Sequence, residues 1–253
     1  MRVVFVGKGG SGKSAIAGTF ARALAQQGEP VLTIDSDPMP GLAFSLGFDQ
    51  SDAAIPDDAV VERQEGEDGA RFRLRPGLTA LDAIEMYAVT GPDGVRFLQF
   101  GKLRGHVGSF MRSQFAFMQI IGELPEDAPW HVIGDLPGGT RQPFAGWGDY
   151  ARMFIAVVEP SAKSMLAARR LARLAERAED PRPVVAVANK VREPGDRDLI
   201  QRRTGLRVMA SIPWDEELAE AERKALAPID YAPGSPAVQA VQSLVDQLSE
   251  EPR

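Results

Sequence analysis

Val3-Val4-Phe5-Val6-Gly7-Lys8-Gly9-Gly10-Ser11-Gly12-Lys13-Ser14 is the stretch whose reading decides the fold. Four apolar residues make a short buried strand, and the eight that follow fit G-x-x-x-x-G-K-[ST] in full. Gly7, Gly9, Gly10 and Gly12 let successive backbone N–H groups turn inward around Ser11 as a nest for phosphate oxygens. The helix that follows adds the positive end of its dipole. Lys13 is spaced to reach the β- and γ-phosphates of a nucleotide, and the Ser14 hydroxyl to ligate Mg²⁺. Lys8 is a second lysine in the same turn. It has no packing role there, so it needs further negative charge, on this nucleotide or on a facing subunit. Ile16, Phe20, Ala23 and Leu24 fall on one helical face, a context that a chance match to the motif would lack.

Outward from this loop, residues 30–35 read as the next buried strand, delivering Asp35-Ser36-Asp37-Pro38 to its C-terminal end, where open α/β sheets place their ligands. Two carboxylates one residue apart beside a phosphate loop need a cation or a chemical task to offset their repulsion. Asp37 is assigned to orienting the attacking water, and Asp35 to positioning Mg²⁺ or its waters. The plainer alternative is a capped strand end with solvated acids. Residues 130–135 form a second acid-terminated strand, and Asp135 suits Mg²⁺ coordination through water. Ser14, Asp35, Asp37 and Asp135 are thus the candidate metal set. Leu136-Pro137-Gly138-Gly139-Thr140 then supplies small residues whose backbone can approach a terminal phosphate and leave when it is lost, a nucleotide-sensing segment extending through Gly148. A further strand, residues 184–188, leads into Asn189-Lys190. The Asn189 amide can read the edge of a purine while the Lys190 stem lies beside the ring. After the strand at residues 206–212, Pro213-Trp214-Asp215-Glu216 forms another wall of the base pocket, with Asp215 capping a helix through Leu226.

The alternation of apolar strands with helical patterns predicts an α/β fold with a doubly wound, mostly parallel sheet. At 253 residues the chain is long enough to form one domain with a sizeable core. An acidic stretch at about residues 48–75 (Asp52, Asp57, Asp58, Glu62, Glu65, Glu67, Asp68) reads as a surface insertion, either a lid or partner-binding element or a solvated loop. Residues 81–85 carry no informative motif. The absence of cysteine excludes disulfides, thiolate metal sites and cysteine-ligated iron–sulfur clusters within the chain. Two histidines make a histidine metal cluster untenable, and His106 reads as an ordinary loop residue in the basic connection 101–108. A net charge of -6 argues against a general nucleic-acid binder. Arg169, Arg170, Arg173 and Arg177 follow the N-cap Ser161. They could touch DNA or an acidic partner, although Glu176 and Glu179 beside them make a solvated face the default. The first strand starts at residue 2 or 3 and leaves no room for a signal peptide, and no apolar window is long enough to span a membrane, so a cytoplasmic address is expected. The last helix, through Val238, Val241, Leu244, Val245 and Leu248, carries Gln and Asp opposite its apolar face. It should therefore dock on the domain, not on lipid.

Taken together, residues 7–14, Asp35-Ser36-Asp37-Pro38, Asp135-Leu136-Pro137-Gly138-Gly139 and Asn189-Lys190 resemble the deviant Walker-A, SIMIBI-type P-loop ATPases. That family includes MinD and ParA proteins, the nitrogenase iron protein and the carbon monoxide dehydrogenase maturation ATPase CooC. Residues 157–161, Asn189-Lys190 and residues 212–216 look most like the CooC branch. The resemblance implies an ATP-bound face-to-face homodimer in which Lys8 crosses to the partner's phosphates, with ATP and Mg²⁺ as ligands. It also implies that Asp37 positions the hydrolytic water, that Asp135 is the Walker-B acid, that Gly138 is the turn of the second switch and that Asn189 reads adenine. CooC-type proteins and the nitrogenase iron protein use interface cysteines that this chain lacks, which removes thiolate-based nickel delivery and reductive electron transfer. The expected function is an ATP-driven dimeric switch acting on a protein partner in maturation or spatial organisation. A ParA-like ATPase binding DNA non-specifically is the alternative, and DNA is less favoured than protein. An amide-forming or phosphoryl-transfer enzyme is a third class without a visible acceptor pocket.

Overall fold

The first strand, β1 (Arg2–Gly7), is buried along its whole length, as a strand covered on both faces must be. Its side chains alternate: Val4 and Val6 enter one apolar cluster, and Val3 and Phe5 the other. A computed structural model describes residues 1–37, 41–48, 55–64, 71–100 and 107–250. After β1 come α1 (Lys13–Gln26), β2 (Val31–Asp35), α2 (Leu42–Leu46), the hairpin β3 (Val60–Glu62) and β4 (Phe72–Leu74), and α3 (Ala80–Tyr87). Next are β5 (Val89–Thr90), β6 (Arg96–Gln99), α4 (Val107–Gly122), β7 (His131–Asp135), β8 (Met153–Val158) and α5 (Ala162–Glu176). The chain closes with β9 (Val184–Val191), α6 (Asp196–Thr204), β10 (Val208–Pro213), α7 (Glu216–Arg223), α8 (Pro228–Tyr231) and α9 (Pro236–Glu250).

The main sheet has the order β10-β9-β8-β1-β7-β2-β6-β5. Every pairing in it is parallel except that of the short edge strand β5 with β6. β1 lies between β7 and β8, where the winding of the chain reverses direction. The C-terminal strand ends at such a reversal are the usual ligand position of these sheets. Side chains of α1, α2, α8 and α9 fill one face of the sheet, and those of α3, α4, α5 and α6 the other. The doubly wound, largely parallel fold is the predicted one.

Several local expectations are refined. In the described flanks of the acidic stretch the acids Asp57, Asp58 and Glu62 are exposed, while apolar residues among them are core. Ile55, Ala59, Val60, Phe72 and Leu74 all lie in the same apolar cluster as Phe117 and Ile120 of α4. The Phe72 ring is flanked by the Arg71 and Arg112 guanidinium groups at 5.1 and 5.4 Å, and Glu62 pairs with both arginines. Asp52, Glu65, Glu67 and Asp68, like His106 and Pro38, lie outside the described residues. Residues 81–85 belong to α3, whose Thr79 and Asp82 form a reciprocal capping box. The proline-marked segment before the last helix contains α8, with Pro228 at its first turn. Ser161 and Asp215 cap α5 and α7 as expected. Asp215 also accepts from Ala237 N at 3.1 Å, fixing the start of α9.

Candidate functional site

The loop after β1 is shaped by backbone that only glycine tolerates. Gly7, Gly10 and Gly12 have φ of 147°, 79° and 89°. A Cβ on Gly7 would stand 2.7 Å from Val157 O, and one on Gly12 would stand 2.5 Å from Asn189 Nδ2. Gly12 is the N-cap of α1 and brings no side chain to it, so the first N–H groups of a buried helix are left for a ligand. Lys13 is buried (7% exposed) and its Nζ donates to Lys8 O at 3.4 Å, while Lys8 itself stays partly exposed, its Nζ near Gly9 O. Lys13 is thus held inside the loop, and Lys8 lies partly exposed on it.

Strand pairing brings the acids together. Asp35 and Asp135 are register partners on the adjacent parallel strands β2 and β7, so their side chains share one face of the sheet about 5 Å apart. Asp135 Oδ2 accepts from Ser14 Oγ at 2.5 Å, and its Oδ1 is buried with no partner. Burial pushes the Asp135 carboxyl up to about 6, with Ser14 and Lys13 opposing the rise. Asp35 is fully buried and is also raised well above the ordinary range, first by burial and then by Asp135. Its two oxygens accept from Asp37 N at 2.9 Å and Leu42 N at 3.3 Å. Asp35 therefore folds the loop that carries Asp37, a role that spacing alone did not reveal. Asp37 is half-buried at the rim.

A hydroxyl, an orphaned carboxylate oxygen and a neighbouring acid form a hard-oxygen donor set that fits Mg²⁺. Among the described residues no three His, Cys, Asp or Glu side chains gather as a metal cage. Mg²⁺ would therefore take its other ligands from water and nucleotide phosphate, as it commonly does.

The segment after β7 lies directly on the phosphate loop. Leu136 N donates to Phe5 O at 3.2 Å and Gly139 N to Gly7 O at 3.2 Å. A Cβ on Gly138 would be 2.7 Å from both Gly9 Cα and Gly9 N, so backbone meets backbone at this point. On the opposite side Asn189 is buried, its Nδ2 donating to Ser11 O at 2.7 Å and its Oδ1 left without a partner. That free acceptor complements an exocyclic amine. The Lys190 stem, expected beside the base, ends in an Nζ that is held by neighbours. Its Nζ donates to Gly10 O and to Glu159 Oε1, both at 2.8 Å, with φ at 57°. It ties the phosphate loop to the end of β8. Pro213 ends β10, and Trp214 beyond it stacks with the Arg192 guanidinium at 4.2 Å.

Two contributors escaped sequence reasoning. Tyr150 is buried with its hydroxyl unpartnered against Gly134, where a Cβ would lie 1.7 Å from the hydroxyl oxygen. Burial and the charges of Asp135 and Asp35 raise its pKa. Arg22 on α1 is 3% exposed and bonds Asp93, Asp230 and Leu46 O. Neither sits in a motif, and a buried arginine inside an apolar helix has no local signal.

Comparison with known proteins follows the same lines. The family model described as CobQ/CobB/MinD/ParA nucleotide binding domain matches residues 3–229. The carbon monoxide dehydrogenase accessory protein CooC of Rhodospirillum rubrum is 28% identical, with 92% of this chain and 91% of that protein covered. A ParA family ATPase from Chlorobium tepidum superposes with a TM-score of 0.74 at 19% identity, covering 98% of each chain. The septum site-determining protein MinD from Pyrococcus horikoshii, complexed with Mg-ADP, gives 0.73 at 18% identity, covering 98% of this chain and 96% of that one.

Proposed function

Because this chain belongs to the CobQ/CobB/MinD/ParA family of nucleotide-binding proteins, we propose that it is a switch whose two states are set by ATP and by its hydrolysis. It is a Mg-ATP-dependent, dimer-forming P-loop ATPase. The finer reading is that the ATP-bound dimer acts on a protein partner and releases it after hydrolysis, in a cytoplasmic setting. The observation that carries it is the pairing of two lysines in one loop with opposite dispositions. Lys13 is buried against the loop, while Lys8 is only partly buried, its Nζ on Gly9 O, and so is open to phosphate charge from a second copy.

In this mechanism the loop N–H groups and the α1 terminus bind the β- and γ-phosphates, and Lys13 neutralises charge on the transferring phosphoryl group. Mg²⁺, held through Ser14 and through Asp135 by way of water, supplies Lewis-acid stabilisation when bound. Asp37 orients water for in-line attack, and Asp35 fixes the loop that presents Asp37. Gly138 and Gly139 sense whether a terminal phosphate is present through their backbone contact with Gly7 and Gly9. Asn189 accepts from the adenine amine through Oδ1, and Pro213 lines the base. The test is the oligomeric mass of Asp37→Ala with and without Mg-ATP. An ATP-dependent doubling is expected; a monomer at saturating ATP would overturn the switch.

The ParA-like alternative has a specific observation in its favour. Lys163, Arg169, Arg170, Arg173 and Arg177 on or just beyond α5 are exposed, and their side chains have no ion pair or hydrogen bond among the described residues. Likeness in fold to a ParA family ATPase also leans this way. It requires ATP-dependent retention of duplex DNA that falls steeply with salt. Absence of retention at low salt would remove it.

A further inference from the structure

The outward face of α5 combines charge and apolar surface in a way that phosphate binding does not explain. Leu166 and Leu174 are 49% and 38% exposed and lie on one stripe with Arg170 between them. The cations around that stripe have no acidic partner among the described residues, in a chain whose overall charge is -6. Several other arginines of the fold are tied down: Arg22, Arg71, Arg96, Arg112, Arg152, Arg182 and Arg223 all hold carboxylates.

At its C-terminal end the stripe runs into a cavity of about 660 Å³ lined by Leu174, Pro143, Phe144, Gly146, Phe154 and Arg182, among others. This volume is ample for apolar side chains of a partner. Phe144 packs edge-on against Phe154 at 5.5 Å, and Arg182 donates to Gly148 O at 2.6 Å. Pro143, Phe144 and Gly146 belong to the segment that begins at Gly138 and Gly139 on the phosphate loop. The cavity wall and the nucleotide sensor are thus one continuous piece of chain.

We propose that the α5 face and this cavity form the docking site for an acidic, leucine-bearing helix of a protein partner, and that the cavity wall links its occupancy to nucleotide state. This rests on the switch function above and names the chemistry of its partner. Glutamates of the partner meet Arg169, Arg170 and Arg173, its leucines pack on Leu166 and Leu174, and one apolar side chain enters the cavity. Duplex DNA fits less well. Phosphates gain nothing from two exposed leucines. Asp149, Glu179 and Asp180 line the cavity, so the partner's glutamates belong on the arginines of α5 and only an apolar side chain enters the cavity. An anionic bilayer is also a poor match, because the outward apolar stripe is too narrow for an interfacial helix.

The probe is a fluorescein-labelled synthetic helix with leucine at every fourth position and glutamates between, titrated by anisotropy. A shuffled peptide of the same composition, duplex DNA and phosphatidylglycerol vesicles are the comparison arms. Wild-type protein should bind the patterned helix. Arg170→Glu with Arg173→Glu, and separately Leu174→Asp, should weaken it by roughly tenfold or more. Affinity should differ by at least about threefold between Mg-ADP and a non-hydrolysable Mg-ATP analogue. Unchanged affinity in both variants overturns the site, as does preferential binding of the shuffled peptide, DNA or vesicles with the same residue dependence. Equal affinity in the two nucleotide states overturns the link. ATP turnover and ATP-dependent dimerisation are read on the same samples. These should survive in the α5 variants, so their loss in wild type would strike the switch itself and not this face.

Discussion

At the scale of single residues, the two loop lysines separate binding from dimer-dependent chemistry. Lys8→Ala should leave nucleotide affinity of the monomer nearly unchanged while lowering turnover at least about tenfold and weakening ATP-dependent dimerisation. Equal turnover with intact dimerisation would remove Lys8 from the mechanism. Asp135 gives a prediction with a fixed sign. Its folded carboxyl is raised from 3.8 to about 6, so the folded state binds the proton more tightly than the unfolded chain does. Without nucleotide, its contribution to stability is present below about pH 4 and is lost as pH rises through about 6. Asp135→Asn, which cannot ionise, should gain stability relative to wild type over that window, by a few kcal/mol at neutral pH in order of magnitude. Denaturant melts of both proteins across the window test it, and parallel pH profiles would refute it.

At the scale of elements, the segment after β7 matters through where its backbone lies. Gly138→Ala would place a methyl group 2.7 Å from backbone atoms of Gly9, which cannot move as a side-chain tip can. The substitution should destabilise the fold by about 1–3 kcal/mol and reduce turnover more than nucleotide affinity, as comparison of melts with ATPase and binding curves would show. Arg22 joins α1, α2 and α8 through Leu46 O and Asp230, with Asp93 completing the cluster. Burial alone would lower its pKa, but its bonds to Asp230 and Asp93 outweigh this and raise it. Arg22→Ala leaves Leu46 O without its donor and breaks the ion pairs, so a loss of about 3 kcal/mol is expected from urea unfolding. A loss under 1 kcal/mol would mean that the cluster is merely a surface bridge.

At the scale of the whole molecule, the ligand should be part of the stability. Mg-ADP that binds only the folded chain adds about 2.7 kcal/mol at one hundred times its Kd, so Tm should rise progressively with its concentration. Lys13→Ala should flatten that rise. A Tm independent of Mg-ADP would contradict nucleotide binding outright.

Much of this was legible in the chain, because the chemistry is local. Residues 7–14 carry their own turn geometry, and the apolar runs ending in Asp35 and Asp135 announce buried strands with acids at their ends. The capping residues Ser161 and Asp215 work through neighbours in sequence. Thr79 and Asp82, the capping box of α3, are local in the same way. Long-range placement was not available. That the Lys190 Nζ meets Gly10 O and Glu159 was not readable from spacing, nor was the packing of Phe72 and Leu74 with α4 beside the acids. Nothing near Tyr150 or Arg22 announces what they touch.

The sequence by itself therefore determined a phosphate-binding loop, its acids and the alternation that winds a parallel sheet, since each depends on contacts within a few residues. Only the tertiary structure decided that Asp35 and Asp135 are register partners, that Gly138 rests on Gly9, and that the α5 face ends at a cavity walled by the nucleotide sensor. These are meetings of segments far apart in the chain, fixed by strand order and by close packing across the sheet.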